Sequence, residues 1–174
     1  MPCAALLPHP ATPCRALRAI RVSVNREGAL LRVDYVLEGD IEALRIPPPR
    51  ASRAVDELWK HTCCELFVAR PGAPGYREFN FSPSGEWAVY RFSSYREGRT
   101  ADDVAPSIAV ARTGERFDVS ARVKVEDEQL MLGLCAVIEE QSGAISYWAL
   151  RHAPGRPDFH HPQAFAMELD AVRH

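Results

Sequence analysis

The sequence predicts an all-β protein, an antiparallel β-sandwich of the jelly-roll or immunoglobulin-like kind with one short helix or helical turn. Three observations support this fold class. Apolar and polar residues alternate along several segments, as they do on half-buried strands. Turn signals such as Glu27-Gly28 and Ser142-Gly143 separate these segments. Helical spacing of apolar residues occurs in only one place, and many strands with few helices indicate a sandwich or jelly roll.

The strand-like segments fall into two kinds. Residues 20–24, 31–37 and 117–125 alternate, with apolar side chains on one face and, except at Val36, charged or small polar side chains on the other. Residues 130–138 and 145–150 are apolar on both faces. Such runs are typical of strands at the centre of a sheet or covered on both sides.

The helical element is predicted at residues 52–61. Val55, Leu58 and Trp59 stand at positions i, i+3 and i+4, and Ser52 is a suitable N-cap residue. We expect a short connecting helix or turn.

Length and composition indicate one core. A chain of 174 residues with 47% hydrophobic residues can bury one sizeable core. We predict an irregular N-terminal segment over residues 1–16 and a single β-sandwich domain over residues 17–170. The formal net charge of −2 gives no electrostatic reason to bind a polyanion, so no nucleic-acid partner is expected.

The first 22 residues do not have the pattern of an export signal. Their apolar run is short, prolines interrupt it, and no basic region precedes it. No segment approaches the ~18 consecutive apolar residues of a membrane helix. Five cysteines make an odd number without C-x-x-C spacing, which fits neither a disulfide framework nor a zinc ribbon. We therefore predict a cytoplasmic protein without membrane association.

Residues 76–92 are predicted to form a hairpin that carries many polar groups. With Ser84 and Gly85 as a two-residue turn, Glu78 would face Arg91 and Asn80 would face Val89. This register sorts the side chains onto two faces. The core face would carry Phe79, Phe81, Ala88, Tyr90 and Phe92, and the polar face would carry Glu78, Asn80, Ser82, Trp87 and Arg91.

The preceding strand-like run, residues 63–69, fits the same scheme. Alternation directs Cys64 and Leu66 into the core and leaves Glu65 on the face of Glu78, provided that the two strands are neighbours. A buried carboxylate needs a hydrogen bond or an ion pair, and Arg91 is the candidate partner.

Several of these pieces, together with the segment 152–169, resemble the DOMON-like group of β-sandwich domains related to family 9 carbohydrate-binding modules. The resemblance spans residues 17–169, and its most specific parts are Trp59-Lys60, Thr62-Cys63, Glu65, residues 78–85 with Tyr90 and Phe92, and residues 157–160. It implies a sandwich that holds a small ligand on one sheet face or rim, a sugar in some members and haem in others. Such a fold analogy bears on architecture more than on function.

A saccharide site also has a physical basis in these residues. A sugar offers hydroxyl groups and an apolar C–H face, so it needs hydrogen-bonding groups beside an aromatic platform. We predict non-catalytic binding of a small molecule, most plausibly a saccharide, with no cofactor and with the oligomeric state left open. The predicted ligand-binding residues are Trp59, Glu65, Glu78, Asn80, Trp87, Arg91, Asp158 and His160.

Three other functions stay open at this point. A haem-binding domain would need an axial ligand, for which the candidates are His61, His152, His160, His161, Met131 and Met167. A glycoside hydrolase could use Glu65 and Glu78 if their carboxyl groups lie roughly 5 Å apart. A protein-interaction module would use exposed sheet edges and the proline-rich loops.

Overall fold

The computed structural model describes residues 1–172, and its regular secondary structure is almost entirely β-strand. Every segment predicted as a strand forms one, as β2, β3, β4, β5, β6, β9, β10 and β11. The twelve strands within the described residues are β1 (Cys3–Pro8), β2 (Leu17–Glu27), β3 (Leu30–Gly39), β4 (Cys63–Ala69), β5 (Tyr76–Phe81), β6 (Trp87–Phe92), β7 (Thr100–Ala101), β8 (Ser107–Thr113), β9 (Arg116–Lys124), β10 (Leu130–Glu139), β11 (Ile145–Ala149) and β12 (Met167–Leu169).

The strands form one curled antiparallel sheet in the order β7-β6-β5-β4-β10-β11-β1-β2-β3-β9-β8, with β12 paired to β10. Strand β1 joins the two halves of this sheet. Its first residues pair with β2, for example Leu6 with Ile20, and its last two pair with β11, as Leu7 does with Ala149. The prediction of an irregular N-terminal segment is therefore wrong for Cys3–Pro8, because its backbone completes the ladder between β2 and β11.

The main core lies inside the curl and takes side chains from both halves of the sheet. Val33 and Tyr35 of β3 meet Leu66 of β4 and Phe79 of β5, all fully buried. On β2, β3 and β9 only one face is buried, which is why their sequences alternate. In contrast, β4 and β5 are buried on both faces because loop segments cover their outer face. The outer face of that half carries the second buried cluster and the candidate site.

The register of the β5–β6 hairpin differs by one residue from the prediction. Glu78 pairs with Tyr90 and Phe79 pairs with Val89. The connection has three residues, 83–85, because the Ser82 amide donates to the Glu86 carbonyl (2.9 Å) and the Gly85 amide donates to the Ser82 carbonyl (3.0 Å). Gly85 has φ +91°, which is the positive φ that follows the turn in a three-residue hairpin loop.

This shift exchanges the two faces of β6, since a slip of one residue turns every side chain over. Trp87 and Val89 lie with Phe79 and Phe81 in the main core, so the prediction of a polar-face Trp87 is wrong. Arg91 also leaves the polar face. The residues that take the outer face beside Glu78 are Ala88, Tyr90 and Phe92, which had been assigned to the main core.

Residues 52–61 contain only one helical turn, a 3₁₀ turn at Leu58–Lys60 that follows Glu57 rather than Ser52. The preceding residues are extended because the amide of Val55 donates to the carbonyl of Trp87 (2.8 Å) and the amide of Trp87 donates to the carbonyl of Arg53 (3.1 Å). Two further 3₁₀ turns occur at Ile41–Ala43 and Pro162–Ala164. No helix within residues 1–172 is long and apolar enough to cross a membrane.

Candidate functional site

A cavity of about 410 Å³ lies on the outer face of β4, β5 and β10. Its floor is made by strand residues, and its walls come from the loop after β6 and from the segment around residues 157–160. Polar groups and aromatic rings both face this space. The polar lining consists of Glu65, Glu78, Arg96, Arg99 and His160, and the apolar lining consists of Trp59, Phe67, Phe92, Val137, Tyr147, Pro157 and Phe159.

Two carboxyl groups form the polar part of the floor. Glu65 of β4 pairs across the sheet with Asn80 of β5, and Phe67 pairs with Glu78, so alternation directs all four side chains to the outer face. The predicted neighbourhood of Glu65 and Glu78 is thus present. Glu65 is 2% exposed and Glu78 5% exposed, which makes them costly charges unless they are partnered.

The two carboxyl groups are each other's hydrogen-bond partners. Burial raises the pKa of Glu65 well above its usual range, and the negative charge of Glu78 raises it further. Burial also raises the pKa of Glu78, to about 6, although hydrogen bonds from Asn80 and Glu65 and the positive charges of Arg99 and Arg96 favour its ionised form. The pair therefore favours a state in which the two carboxyl groups share one proton, held mainly by the more buried Glu65, and carry one negative charge.

Arg91 does not belong to this pair. The register shift turns it to the other face, where its Nε lies 2.7 Å from the Asp102 carboxylate. Asn80 is fully buried below the cavity and donates from Nδ2 to Glu78 Oε1 (3.3 Å), so it supports the lining without forming it. Of the predicted residues, Trp59, Glu65, Glu78 and His160 line the cavity, whereas Trp87 and Arg91 do not.

His160 is fixed by a short chain of hydrogen bonds. The backbone amide of Arg96 donates to the Tyr76 hydroxyl (3.1 Å), and that hydroxyl in turn lies 2.7 Å from His160 Nδ1. Nε2 of His160 lies 3.6 Å from Glu78 Oε2. Because a carboxylate favours a donor, neutral His160 carries its proton on Nε2, and Nδ1 accepts from the Tyr76 hydroxyl. Burial lowers the pKa of His160 to about 4, with the positive charge of Arg96 acting in the same direction.

This arrangement does not suit an axial haem ligand. The lone pair of His160 is on Nδ1 and already accepts a hydrogen bond from Tyr76, while Nε2 faces the Glu78 carboxylate. Among the histidine and methionine candidates predicted for a haem, His160 is the one that lines this cavity. The cavity therefore offers no free nitrogen to an iron atom.

Asp158 holds the rim of the cavity together. Its carboxylate accepts from Arg96 Nη2 (2.7 Å), from the backbone amide of His160 (3.1 Å) and from the Tyr95 hydroxyl. These contacts tie the segment after β6 to the C-terminal segment. Asp158 thus positions Arg96 and His160 without lining the cavity itself.

Arg99 has a different setting from Arg96. Its guanidinium lies 5.7 Å from the centroid of the Trp59 ring and 5.1 Å from that of Tyr90, within the range of cation–π contact. The two rings meet edge to face at 5.9 Å, and the Tyr90 hydroxyl donates to the Asp56 carboxylate. An aromatic bracket made of Trp59 and Tyr90 thus carries Arg99 at the mouth of the cavity.

Sequence reasoning missed both arginines and most of the aromatic lining. Arg96 and Arg99 lie in a turn where Arg96 has φ +56° and Gly98 φ +65°, directly after β6. Two arginines in a glycine-containing turn beside a hairpin of polar groups were an available signal. The aromatic lining had none, since Phe92 was assigned to the opposite face and Tyr147 and Phe159 come from distant segments.

Comparison with known proteins gives one informative likeness. No protein-family model matches the chain, and no curated protein matches it. Among solved structures, the fold is similar to that of a Bacteroides uniformis ATCC 8492 protein described as a "putative carbohydrate-binding protein", with a TM-score of 0.68 over 94% of this chain and 83% of that chain. The two sequences are 15% identical, so the likeness is one of fold. The DOMON-like resemblance is not confirmed by a family model.

Proposed function

We propose that the protein binds a small saccharide, without catalysis, in the cavity above β4 and β5. The observation that supports this most is the combination, in one open cavity, of fixed hydrogen-bonding groups with aromatic walls. The sequence predicted Arg91 as the partner of the buried Glu65 carboxylate. Both carboxyl groups instead line the cavity, and Arg91 lies elsewhere.

The chemistry of the lining matches the two surfaces of a sugar. The Glu78 carboxylate accepts hydrogen bonds from hydroxyl groups, and the Nε2–H of His160 donates to them. The rings of Trp59, Phe92 and Phe159 offer apolar surface to the C–H face of a pyranose. A volume of about 410 Å³ lies within the usual range of small-molecule sites.

The proposal includes a DOMON-like sandwich as the scaffold, with the two halves of the curled sheet acting as its layers. The fold similarity to the B. uniformis protein supports that architecture, and the description of that protein agrees with a saccharide ligand. Fold similarity alone does not carry function, so the argument depends on the cavity.

A hydrolytic role for Glu65 and Glu78 is less well supported by their contact. Retaining glycosidases keep the two carboxyl groups about 5–5.5 Å apart so that the glycosidic carbon and oxygen fit between them. Here the two groups are hydrogen-bonded to each other, which favours a shared-proton pair that receives ligand hydroxyl groups. The positions and protonation of the pair therefore fit binding better than bond cleavage.

Titration calorimetry with unmodified monosaccharides tests the proposal. We expect saturable binding by the wild-type protein and at least a tenfold loss in Glu78→Gln and Trp59→Ala, since each removes about 1.4 kcal/mol or more of contact. Glu139→Gln is the matched control, because Glu139 pairs with His61 and Arg45 away from this cavity. No binding of any monosaccharide would contradict the proposal.

A parallel assay distinguishes non-catalytic binding from glycoside hydrolysis. Release of nitrophenol from nitrophenyl glycosides, lost equally in Glu65→Gln and Glu78→Gln, would replace binding by hydrolysis as the function. Saccharide binding without turnover would support the proposal as stated.

A further inference from the structure

The charged groups around the cavity have close partners, with one exception. The charge of the glutamate pair, on Glu78, receives hydrogen bonds from Glu65 and Asn80. The carboxylate of Asp158 is paired with Arg96 at 2.7 Å. The Arg99 guanidinium makes no hydrogen bond or close ion pair with any of residues 1–172 and lies over the rings of Trp59 and Tyr90, so the negative charges of Glu78 and Asp56 act on it only through space.

The setting of Arg99 favours an anionic partner from solution. Contact with ring faces uses the π-surface of a guanidinium and leaves its N–H edge free for a planar bidentate acceptor. The aromatic bracket also restricts the side chain, so less conformational entropy is lost when an acceptor binds. A solvent-exposed arginine on a sheet face would have neither property. Arg99 is therefore prepared for a carboxylate at the mouth of the cavity.

We infer that the ligand is an acidic monosaccharide, a hexuronate, whose carboxylate pairs with Arg99 while its ring hydroxyl groups reach Glu78 and His160. This inference rests on the proposed saccharide function and narrows it to one class of sugar. The cavity has its hydroxyl-binding groups on the floor and, at the mouth, an arginine whose N–H groups have no close acceptor. A hexuronate has the same division, with hydroxyl groups around the ring and one carboxylate at C6.

A cationic sugar fits the same cavity less well. An amino group would meet a carboxylate that already accepts two hydrogen bonds, and it would lie near the positive charges of Arg96 and Arg99. A neutral sugar would cover Arg99 without giving its N–H groups a charged acceptor. The free N–H edge of Arg99 therefore favours the uronate over both.

The test compares matched sugars that differ only at one group. D-glucuronate is titrated against D-glucose, D-galacturonate against D-galactose, and D-glucosamine serves as the cationic probe. We expect each uronate to bind the wild-type protein about tenfold tighter or more than its neutral counterpart, as a charge-assisted bidentate contact allows. In the Arg99→Gln variant this preference should be lost, so that each uronate and its neutral counterpart bind with affinities within about threefold of each other.

Two control variants sharpen the result. Arg122→Gln removes an exposed arginine on β9, remote from the cavity, and should retain the full preference. Arg99→Lys keeps the charge without the planar fork and should retain only part of it. Equal binding of uronate and neutral sugar, a preference that survives Arg99→Gln, or tighter binding of glucosamine would overturn the uronate inference alone. Failure of all five sugars to bind the wild-type protein would overturn the saccharide function itself.

Discussion

The hydroxyl of Tyr35, on β3, donates a 2.7 Å hydrogen bond to the backbone carbonyl of Glu65 on β4. This contact crosses the main core and connects the half of the sheet without the cavity to the strand that forms its floor. Tyr35 is fully buried, and burial raises the pKa of its hydroxyl well above the usual value, so it remains a donor at any physiological pH.

We expect Tyr35→Phe to lower the free energy of unfolding by about 1 kcal/mol, because a buried hydrogen bond is lost with little change in volume. Urea denaturation followed by fluorescence measures this change. Tyr147→Phe is the matched control, since the Tyr147 hydroxyl makes no hydrogen bond to residues 1–172, and its stability should be unchanged. Equal stability of Tyr35→Phe and wild type would show that the contact is not formed in solution.

The glutamate pair should make stability fall as pH rises. Burial raises the pKa of Glu78 to about 6 and that of Glu65 above its ordinary value, so the folded state binds more protons than the unfolded state above about pH 4.5. The stability that this proton binding supplies is present at pH 4.5 and is lost as the pH passes 6. For Glu78 the loss is on the order of 2 kcal/mol.

We therefore expect the double variant Glu65→Gln, Glu78→Gln to become more stable relative to wild type between pH 4.5 and pH 7. Denaturation at a series of pH values measures the difference, in which the titration of other groups cancels. Glu139→Gln should show no such gain over this interval, because the contribution of Glu139 changes only below about pH 4.5. The Glu139 side chain is mostly buried, but hydrogen bonds from His61 and Arg45 outweigh this and lower its pKa, so its contribution is lost as pH falls. A pH-independent difference for the double variant would contradict the shared proton.

His160 should stay neutral across the physiological range, as the Nε2–H tautomer. Burial lowers its pKa to about 4, so the stability it contributes is retained above about pH 6.5 and lost as the pH falls toward 4. Nitrogen chemical shifts of the imidazole rings measure both properties, with the other five histidines as references in the same spectrum.

Tyr76→Phe tests the cause of that tautomer, because it removes the hydroxyl that donates to His160 Nδ1. We expect the Nδ1 shift of His160 to move and a mixture of tautomers to appear. Tyr147→Phe, which also lines the cavity, should leave the signals of His160 unchanged. Titration of His160 near pH 6.5 in the wild-type protein would refute the arrangement.

A buried ion pair below β6 should matter for stability. Arg77 Nη2 lies 3.3 Å from Asp102 Oδ2, and both side chains are 8% exposed. We expect Asp102→Asn to cost about 3 kcal/mol, because it keeps the shape and the bond from the Val104 amide but leaves the guanidinium without its closest charge. Thermal denaturation measures the loss.

Arg91→Gln is the control for that pair, since Arg91 reaches the same carboxylate from a half-exposed position. It should cost less than about 1 kcal/mol. Similar losses in both variants would indicate that Asp102 acts mainly through Arg91.

The sequence was most informative where burial on one face leaves a period of two. The alternating segments of β2, β3 and β9 and the apolar segments of β10 and β11 predicted strands that the structure confirms. The position of Glu65 beside Glu78 followed from the same rule, because both strands are short and adjacent. These predictions depend only on local alternation and on pairing between neighbours.

The predictions failed where the outcome depends on hydrogen bonds that local pattern does not encode. The hairpin has a three-residue loop that ends at Gly85 in place of the predicted two-residue turn. The resulting register shift of one residue places Trp87 and Arg91 on the face opposite the site. Because β6 has apolar side chains on both faces, its sequence is compatible with either register of the hairpin. The pairing of β1 with β11 likewise requires partners more than 130 residues away in the chain.

The position of β1 also has a consequence for self-association. Because Cys3–Pro8 covers an edge of β2 and an edge of β11, its removal would leave two rows of unpaired amides and carbonyls facing solvent. Exposed strand edges of this kind are templates onto which a strand of another molecule can add. Proteolytic trimming of the first eight residues should therefore increase the aggregation of the protein.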